Sequence, residues 1–442
     1  MSTIHFAGAT LADGTRADVL VVDGTISDIG SVSAPSGAER VDAGGLLLLP
    51  GLVDLHSHLR EPGFEQSETV LTGSQAGARG GYTTLFAMAN TSPVADTAGV
   101  VEQVWRLGRE AGYTRVQPIG AVTRGLAGEQ LAEIGAMAAS RAEVRVFSDD
   151  GMCVWDPRLM RRALEYVKAF GGVVAQHAQE PRLTEGAQMN ESALSAELGL
   201  PGWPSVAEEA IIARDALLAE TTGSRLHVCH LSTAGAVDVV RWAKRRGISI
   251  TAEVTPHHLL LTEQHVASFD PRFKVNPPLR GNEDVQALRE AVADGTIDII
   301  ATDHAPHPVE SKECEWASAA NGMVGLESAL SVAQRSLVDE GFANWVDISR
   351  LMSLAPARIG GLTEAGELTV GAVADLVLYD PSVSRTFATT DLAGKSQNSP
   401  YLGVELPGNV VATMRLGYFT VRDSVLQPED EVARQARGGF RG

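Results

Sequence analysis

The sequence predicts an α/β protein built around a (β/α)8 barrel, with β-rich segments at both ends of the chain. Candidate strands and helices alternate from residue 52 onward, and the strands are rich in Val, Ile and Leu, as in sheets buried on both faces. Eight such units fill about 250 residues, the usual size of a barrel of this kind. A doubly wound sheet, the competing fold, needs a Gly-rich turn after its first strand, where this chain has His56-Ser57-His58.

Both ends of the chain predict short strands joined by turns. Asp23-Gly24 separates two apolar runs, which is a typical β-hairpin signal. The polar tail after Gln427 is expected to be poorly ordered. The predicted terminal strands are Ala17–Val22, Thr25–Ile29, Ala374–Tyr379, Val410–Met414 and Tyr418–Val421.

The middle of the chain predicts eight strands and the helices between them. Ser205, followed by Glu208 at the start of the longest predicted helix, indicates a capping box. The predicted barrel strands are Leu52–His56, Thr83–Met88, Arg115–Ile119, Val144–Ser148, Gly172–His177, Arg225–His230, Ile248–Val254 and Ile297–Thr302. The predicted helices are Asp96–Ala111, Asp156–Phe170, Ser205–Thr221, Ala234–Arg246 and Glu283–Ala293.

Charge and cysteine content narrow the class of protein. The 36 basic and 55 acidic residues give a formal net charge of −19, which argues against nucleic acid or an anionic membrane as a partner. The 3 cysteines cannot form a disulfide framework, so a reduced, cytoplasmic location is expected. No apolar run reaches the length of a membrane span, and no basic segment followed by an apolar core indicates secretion.

Polar residues end most of the predicted barrel strands, at the rim that carries the active site in barrels of this type. His56 and His58 lie two residues apart on extended chain, so both imidazoles can reach one cation. An isolated pair of this kind is more often a hydrogen-bonded core pair. Taken together with the other rim residues, however, the pair indicates a metal centre. Those residues are Asn90, Asp149, Asp150, His177, His230, Asp303, His304 and His307.

The ligand types at this rim predict catalytic zinc or a similar divalent ion. The groups are imidazoles and carboxylates without a thiolate, and Cys229 and His227 are expected to point away from the rim by strand parity. The number of imidazole and carboxylate groups at the rim suggests two ions. Two neighbouring ions repel each other and need a bridging carboxylate. Asp149 or Asp150 is placed to supply it, and the residues alone leave open both that choice and a solvated turn.

Several motifs resemble those of class I dihydroorotases in the amidohydrolase superfamily. Residues 54–63, Asp-Leu-His-Ser-His-Leu-Arg-Glu-Pro-Gly, are similar to the family's metal motif. Residues 301–307, Ala-Thr-Asp-His-Ala-Pro-His, with Lys312 further on, are similar to its second signature. The resemblance extends over about residues 10–420. It also includes Asn90–Pro93, Phe147–Gly151, His177, His230–Thr233, Asn276–Arg280 and Lys395–Pro400.

The resemblance implies a (β/α)8 barrel flanked by a small β-sandwich formed by both termini, with domain limits at 1–51, 52–361 and 362–442. It also implies one or two Zn²⁺ ions. Hydantoinases and allantoinases bridge their metals with a carboxylated lysine on strand four, which has no lysine here, and the matching class I residue is Asp150. The implied ligands are His56, His58 and Asp303 for the more buried ion, His177 and His230 for the second, and Asp150 between them.

The resemblance further implies a zinc-dependent cyclic amidohydrolase, a dihydroorotase. Such an enzyme reversibly hydrolyses L-dihydroorotate to N-carbamoyl-L-aspartate, the third step of de novo pyrimidine (UMP) biosynthesis. A metal-activated hydroxide is the expected nucleophile, and Asp303 is the expected proton shuttle. The implied partners are the small-molecule substrate, a second copy in a homodimer and, in a complex, aspartate transcarbamoylase.

Arg60 is the predicted anchor for the substrate carboxylate. It lies two residues beyond His58 on the same side of the chain, so it can form a charge-assisted pair with the substrate. A surface ion pair with Glu61 or Glu65 is an equally open interpretation.

Three further residues are expected around the substrate. The resemblance implies that Asn90 and His307 bind the substrate carboxylate together with Arg60. An exposed loop histidine is the alternative interpretation of His307. Asn276 is expected either to hydrogen-bond the pyrimidine edge or to cap the turn before Pro277. The segment Ala305–Gly322 is open to two interpretations, a lid that excludes water or an ordinary surface loop.

Two other functions compete with this prediction. A hydantoinase or allantoinase would carry out related ring hydrolysis, but the lack of a strand-four lysine and the presence of Arg60 count against it. A non-catalytic, dihydroorotase-like scaffold subunit of aspartate transcarbamoylase is the second alternative. Inactive homologues typically lose metal histidines, whereas this chain keeps all four.

Overall fold

A computed structural model describes residues 2–439, so the last three residues of the predicted polar tail lie outside the described chain. Strands and helices alternate through its central part, and strands dominate both ends. The strands are β1 (Thr3–Leu11), β2 (Arg16–Val22), β3 (Thr25–Gly30), β4 (Glu39–Asp42), β5 (Leu47–Pro50), β6 (Leu52–Ser57), β7 (Tyr82–Ala87), β8 (Arg115–Pro118), β9 (Val146–Phe147), β10 (Val173–Gln176), β11 (Met189–Asn190), β12 (Gly202–Trp203), β13 (Arg225–Val228), β14 (Ile250–Val254), β15 (Ile299–Ile300), β16 (Leu376–Thr386), β17 (Glu405–Arg415), β18 (Tyr418–Arg422) and β19 (Val425–Leu426).

Helices follow most of the central strands. Two of them continue through π-helical turns, one at Gln334–Val338 and one at Arg350–Leu354. The α-helices are α1 (Val70–Arg79), α2 (Ala98–Ala111), α3 (Ile134–Ala139), α4 (Pro157–Val167), α5 (Ala193–Leu198), α6 (Val206–Thr222), α7 (Ala234–Arg245), α8 (Pro256–Leu260), α9 (Asn282–Ala293), α10 (Ala329–Ala333), α11 (Trp345–Ser349), α12 (Ala355–Ile359) and α13 (Glu429–Gly439).

Eight parallel strands close the barrel that the sequence predicts. β6, β7 and β8 form one sheet, and β9, β10, β13, β14 and β15 form another. A bridge between Gly120 and Phe147 joins the two sheets on one side, and a bridge between Ser57 and His304 joins them on the other. An apolar cluster that includes Val53, Phe86, Val173 and Ile299 fills the barrel interior. A larger cluster packs the helices against the outside of the barrel.

Six of the eight barrel strands are shorter than predicted, and two of them are much shorter. β9 and β15 each keep only two residues in regular pairing, where the sequence predicts strands over Val144–Ser148 and Ile297–Thr302. The chain leaves the extended conformation early because the residues that follow turn towards the rim. Asp303, for example, has a φ of 47°, in the left-handed region.

The predicted capping box at the start of α6 is wrong. Ser205 has helical backbone angles and its side chain makes no capping bond. The Glu208 carboxylate is buried instead, where it accepts hydrogen bonds from the backbone N–H of Ser232 at 2.9 Å and from its hydroxyl. The side chain of Glu208 therefore fastens α6 to the loop after β13 instead of capping its own helix.

The two ends of the chain form one sheet domain. The nine strands run in the order β19-β18-β17-β16-β5-β1-β2-β3, with β4 beside β1. Antiparallel pairing of β16 with β5, beginning at Leu376 and Pro50, joins the C-terminal half to the N-terminal half. The predicted hairpin is present, and Asp23 and Gly24 have φ values of 47° and 81°, as a type I′ turn requires.

The polar tail contains a helix, contrary to the disorder expected from the sequence. α13 packs against α2 and β18 through the buried side chains of Val432 and Ala436. The hydroxyl of Tyr113 also donates a 2.6 Å hydrogen bond to the carbonyl of Gln427. Two apolar residues four positions apart are enough to anchor a short helix, and the polar majority around them hides this pattern in the sequence.

The domain limits remain a proposal. We propose that the barrel spans residues 52–361 and that residues 1–51 and 362–442 build the sheet domain, because β5 ends at Pro50 and the last barrel helix ends at Ile359. Within residues 2–439, no helix combines the length and the apolar character needed to cross a bilayer.

Candidate metal centre and substrate site

The six predicted metal ligands lie together at the C-terminal ends of the barrel strands. They come from chain segments distant in sequence, immediately after or at the ends of β6, β9, β10, β13 and β15. All are buried, with no more than 5% of any residue's surface exposed. These residues are His56, His58, Asp150, His177, His230 and Asp303.

The carboxylate of Asp150 lies between two pairs of histidines. Its Oδ2 lies 3.3 Å from Nε2 of His56 and 3.2 Å from Nε2 of His58. Its Oδ1 lies 3.3 Å from Nδ1 of His177 and 3.4 Å from Nε2 of His230. One carboxylate thus contributes an oxygen to each of two ligand groups, the arrangement that a pair of neighbouring cations needs.

Asp303 completes the first group. Its Oδ1 lies 3.1 Å from Nε2 of His58 and 3.4 Å from Nε2 of His56. These three residues and Asp150 offer four ligand atoms that all lie within 4.8 Å of one another. Both groups combine imidazole nitrogen with carboxylate oxygen, the donor set that suits zinc or a similar divalent ion.

The neighbouring Asp149 has a different role. Its Oδ1 accepts hydrogen bonds from the backbone N–H groups of Val122 and Thr123, at 2.8 and 2.9 Å, and its Oδ2 accepts one from the Thr123 hydroxyl. Burial raises the pKa of Asp149 to about 6 despite these bonds. Asp149 therefore holds the loop after β8, and of the two aspartates only Asp150 contacts the histidines of this cluster.

The histidines are oriented by partners on their outer ring nitrogens. Nδ1 of His58 donates to Oδ1 of Asn90 at 2.9 Å, and Nε2 of His177 donates to Oε1 of Gln179 at 2.8 Å. Nδ1 of His56 donates to Glu253 at 2.5 Å. Such partners fix the tautomer and leave the other nitrogen free for a metal ion.

Glu253 is a site residue that the sequence analysis missed. Besides the bond from His56, it accepts one from Nε2 of His227 at 3.0 Å and one from the backbone N–H of His230 at 3.1 Å. Burial alone would raise its pKa, but the nearby histidines lower it to about 2. The available signal was a single acidic residue inside the apolar run of β14. His227 supports the cluster through its bond to Glu253.

The charge distribution in the cluster fits a bound cation. Burial disfavours a proton on His56, but the charges of Asp150, Glu253 and Asp303 outweigh it and raise the pKa of His56 well above its usual value. Nε2 of His56 and Oδ1 of Asp150 are buried without a hydrogen-bond partner. Buried polar atoms without partners are costly, so these atoms match ligands for a metal ion.

Arg60 lies beside this cluster and not on the surface. Its Nε donates to the carbonyl of Pro306 at 3.1 Å, and its φ is 63°. Neither predicted surface partner pairs with it, because Glu61 accepts from the N–H of Val70 and Glu65 from that of Gly63. Burial lowers the pKa of Arg60 to about 10, which leaves the guanidinium charged at neutral pH.

The other predicted substrate residues lie around the same space. Asn90 uses its oxygen for His58, and its amide N–H groups remain available. Asn276 donates to Oε1 of Gln179 at 3.1 Å, while its own Oδ1 is buried without a partner. His307 donates from Nε2 to the carbonyl of Asn321 at 2.7 Å, and burial, with the charge of Arg60 nearby, lowers its pKa to about 3.

His257 is a second residue that the sequence analysis missed. It lies on α8, directly after β14, and its Nε2 is buried without a hydrogen-bond partner. Burial lowers its pKa to about 4, and the charges of Asp303 and His230 also act on it. The signal was its position three residues after the end of a barrel strand, at the rim where the predicted metal ligands also lie.

The segment 305–322 is tied to the rest of the barrel. The ammonium group of Lys312 donates to the carbonyls of Pro271, Lys274 and Ala320 at 2.8, 3.2 and 2.7 Å. Backbone bonds join Ala305 to Met323 at the start of the segment. The bonds of Lys312 to Pro271 and Lys274 therefore connect the segment to the turn that precedes Asn276.

Curated relatives of this chain are dihydroorotases. The family described as DHOase, Dihydro-orotase-like, matches residues 45–236. The dihydroorotase of Leifsonia xyli subsp. xyli is 67% identical over 441 residues, which cover 100% of this chain and 99% of that protein. The dihydroorotase of Mycobacterium tuberculosis is 53% identical over 417 residues, 94% of this chain and 97% of that protein.

Solved structures with the same architecture include hydantoinases. The L-hydantoinase (dihydropyrimidinase) of Arthrobacter aurescens superimposes with a TM-score of 0.86 at 25% identity, covering 97% of this chain and 98% of that one. The D-hydantoinase (dihydropyrimidinase) of a Thermus species gives a TM-score of 0.79 at 26% identity, covering 96% of both chains. The predicted fold class, an α/β barrel with a sheet domain from both termini, is confirmed.

Proposed function

Because this chain belongs to the dihydroorotase family, we propose that it catalyses the reversible hydrolysis of L-dihydroorotate to N-carbamoyl-L-aspartate, a step of de novo pyrimidine biosynthesis. The observation that supports this most directly is the position of Asp150. Each of its oxygens faces a different pair of histidines, with the charged side chain of Arg60 next to the same cluster.

Zn²⁺ is the proposed metal, with one or two ions per chain. His56, His58 and Asp303 would hold one ion, His177 and His230 the other, and Asp150 both. Ions bound there would lower the pKa of water and polarise the amide carbonyl of the substrate. The absence of a thiolate from both groups, together with the unpartnered Nε2 of His56, supports a divalent cation with nitrogen and oxygen ligands.

Asp303 is the proposed proton shuttle. Burial raises the pKa of its carboxyl group, but His56 and His58 outweigh burial and lower it, so the group is ionised at neutral pH. Oδ1 faces the histidines, and within the described chain Oδ2 has no hydrogen-bond partner. Oδ2 accepts a proton from the attacking water and gives it to the ring nitrogen as the C–N bond breaks; ring closure reverses these transfers.

Arg60, Asn90 and Asn276 are proposed to bind the substrate. The Nη atoms of Arg60 and the amide N–H of Asn90 would donate to the substrate carboxylate. The unpartnered Oδ1 of Asn276 would accept a ring N–H. For His307 to donate to the carboxylate as well, its bond to Asn321 must open or its second nitrogen must take up a proton.

The hydantoinase alternative is less well supported. The strand-four segment Val144–Asp150 has no lysine, so a carboxylated lysine is not available as a bridge. A hydantoin also carries no carboxylate, and Arg60 has no carboxylate partner within the described chain. A buried guanidinium that makes no direct ion pair within residues 2–439 favours an anionic substrate.

The cellular location and the quaternary structure of this chain remain predictions. The cysteines Cys153, Cys229 and Cys314 are all free, which supports the proposed cytoplasmic location because disulfides are rare there. The homodimer and the complex with aspartate transcarbamoylase are implied by the family resemblance alone. The complete set of four histidines counts against a non-catalytic scaffold.

An assay in both directions tests the proposed activity. Zinc-loaded protein is mixed with N-carbamoyl-L-aspartate or with dihydroorotate, and absorbance of the ring is followed, with hydantoin and allantoin as parallel substrates. We expect interconversion of the first pair and at most weak turnover of the other two. Turnover of hydantoin or allantoin without interconversion of the first pair would overturn the proposal.

A further inference from the structure

A second polar cavity lies at the end of the barrel opposite the metal cluster. Its volume is about 380 Å³, and it is lined by the residues at which β8 and β9 begin, by the turn 360–362 after α12, and by the end of β17. The predicted metal ligands lie at the other ends of the barrel strands, and Asp150, for example, follows the end of β9. The cavity is therefore separate from the proposed substrate site.

The lining of this cavity is strongly basic. Five arginines contribute to it, against a single carboxylate, that of Glu143. Such a concentration of positive charge is unusual in a chain with 55 acidic and 36 basic residues. The five arginines are Arg109, Arg115, Arg141, Arg145 and Arg415.

Four of these arginines make no ion pair within residues 2–439. None of Arg115, Arg141, Arg145 and Arg415 has a carboxylate oxygen within 4.0 Å. Exposed arginines elsewhere in the described chain do pair in this way. Examples are Arg106 with Glu110, Arg161 with Glu165 and Arg246 with Glu220.

Two of the guanidinium groups are held in place by neutral partners. Arg415 is 4% exposed, and its Nη1 donates to the carbonyl of Gly112 at 2.9 Å and to the hydroxyl of Tyr418 at 2.8 Å. Nη1 of Arg145 donates to two backbone carbonyls, those of Ala138 and Val144. Among residues 2–439, Nε and Nη2 of both side chains have no hydrogen-bond partner, so each has donors fixed in orientation and available to a ligand.

The buried carboxyl group of Asp375 forms no ion pair with these arginines within residues 2–439. The carboxyl group of Asp375 accepts the backbone N–H of Leu416 at 2.7 Å. Burial raises its pKa, and the charges of Arg415 and Arg115 only partly oppose this effect. Arg415 is buried, and a buried cation without a paired anion is costly, so its position beside four further arginines indicates a ligand that supplies the anion.

We propose that this cavity binds a small organic phosphate that carries two or more phosphate groups. Guanidinium forks match phosphate oxygens in geometry, and the volume is in the usual range for small-molecule sites. A phosphate monoester carries a charge of about −1.5 to −2 at neutral pH, so two such groups balance the excess of arginine over Glu143. Trp105 and Leu362 add apolar surface for the rest of the ligand.

Calorimetric titration of the zinc-loaded full chain tests the proposal. Pyrophosphate and ATP serve as probes, in the presence of saturating dihydroorotate so that the metal cluster is occupied. The metal content of the recovered protein is measured, since pyrophosphate also binds divalent ions. We expect saturable binding of one probe per chain, with equal affinities if the phosphates alone are recognised and tighter ATP binding if the apolar surface contributes.

Two variants, Arg115→Gln and Arg141→Gln, test whether the probes bind in this cavity. Neither side chain has a hydrogen bond or ion pair to lose within the described chain, so both variants should fold with an unchanged or higher Tm. Each should weaken probe binding at least tenfold. Arg161→Gln is the matched control, because Arg161 lies on α4 and pairs with Glu165, and it should leave binding unchanged.

Three results would overturn the proposal. The first is the absence of binding at millimolar pyrophosphate and ATP. The second is binding that persists unchanged in both arginine variants, which would place the probe elsewhere. The third is binding of poly-glutamate without binding of either phosphate probe, which would make the cavity part of a docking surface for an acidic protein.

Discussion

The carboxylate of Glu253 lies 2.5 Å from Nδ1 of His56, although 197 positions separate the two residues in the chain. Glu253 lies on β14 and His56 on β6, and β15 lies between these strands in the barrel. The contact fixes the His56 ring with Nε2 towards Asp150. A residue on the seventh barrel strand thus orients a metal ligand on the first.

Replacing Glu253 by glutamine should weaken metal binding by about 10- to 100-fold, the usual effect of losing a partner behind a metal-ligating histidine. Zinc affinity measured by competition with a chelator checks this. His227→Gln is the matched control, because it removes the bond to Oε2 and leaves the bond between Oε1 and His56. An equal loss in both variants would show that general disturbance of the core, and not orientation of His56, is responsible.

Mutation should distinguish the roles of the two adjacent aspartates. Asp150→Ala removes the carboxylate shared by both ligand groups, so bound zinc and activity should fall at least about a hundredfold. Asp149→Ala leaves the N–H groups of Val122 and Thr123 unpaired and should cost at least about 1–3 kcal/mol of stability, with zinc still bound. Metal analysis and urea unfolding of both variants provide the measurement. Loss of zinc from the Asp149 variant with normal stability would contradict the assignment.

Asp303→Asn should lower kcat by about 10²–10⁴-fold, because the amide cannot accept the proton from water. The amide oxygen can still face His56 and His58, so much of the bound zinc should remain. Zinc content and kcat are measured on the same preparation. If the variant retains both the metal and a near-normal rate, Asp303 is not the proton shuttle.

Arg60→Gln should reduce kcat/KM for dihydroorotate by about 10- to 150-fold, since a hydrogen bond to a charged group contributes about 1.5–3 kcal/mol. Dihydrouracil, the same ring without the carboxylate, is the matched control substrate. Its slow turnover, where measurable, should change little in the variant. Equal losses with both substrates would indicate that Arg60 supports the metal cluster and does not recognise the carboxylate.

Lys312 should make stability depend on pH. Burial lowers its pKa to about 7, the charge of Lys274 acts in the same direction, and Asp270 and Cys314 oppose both. Lysine in an unfolded chain titrates near pH 10.4. Between about pH 7 and 10 the unfolded chain therefore binds more protons than the folded one, and stability contributed by this group rises with pH.

Lys312→Met should remove this dependence. The difference between the unfolding free energies of wild type and variant should shift in favour of wild type as pH rises from 7 to 9. Urea unfolding at several pH values measures that difference. A constant difference over this range would show that Lys312 keeps its proton in the folded protein.

Much of the barrel could be predicted because its signals are local. Apolar runs set the strands, and polar residues at their ends placed His56, His58, His177, His230 and Asp303 on one rim. Helix α13 was missed because two apolar residues had to be recognised against a polar background. Its stability comes from contacts with α2 and β18 that are distant in sequence.

The predicted capping box failed for a related reason. The pattern of Ser205 and Glu208 is a local preference worth about 1 kcal/mol. In the folded protein Glu208 is buried, where it accepts hydrogen bonds from Ser232 and lies near the charge of Arg280. The local sequence does not reveal these contacts. Tertiary contacts of this kind regularly outweigh helix-end preferences.

The sequence by itself determined the barrel, the rim and the kind of ligand, because strand periodicity and residue chemistry are properties of short segments. The tertiary structure alone decided that Asp150 and not Asp149 faces the histidines, that Arg60 is turned inward, and that Glu253 lies behind His56. Each of these outcomes depends on where a side chain points after strands far apart in the chain have paired. No local pattern carries that information, because the partners meet only when the barrel closes.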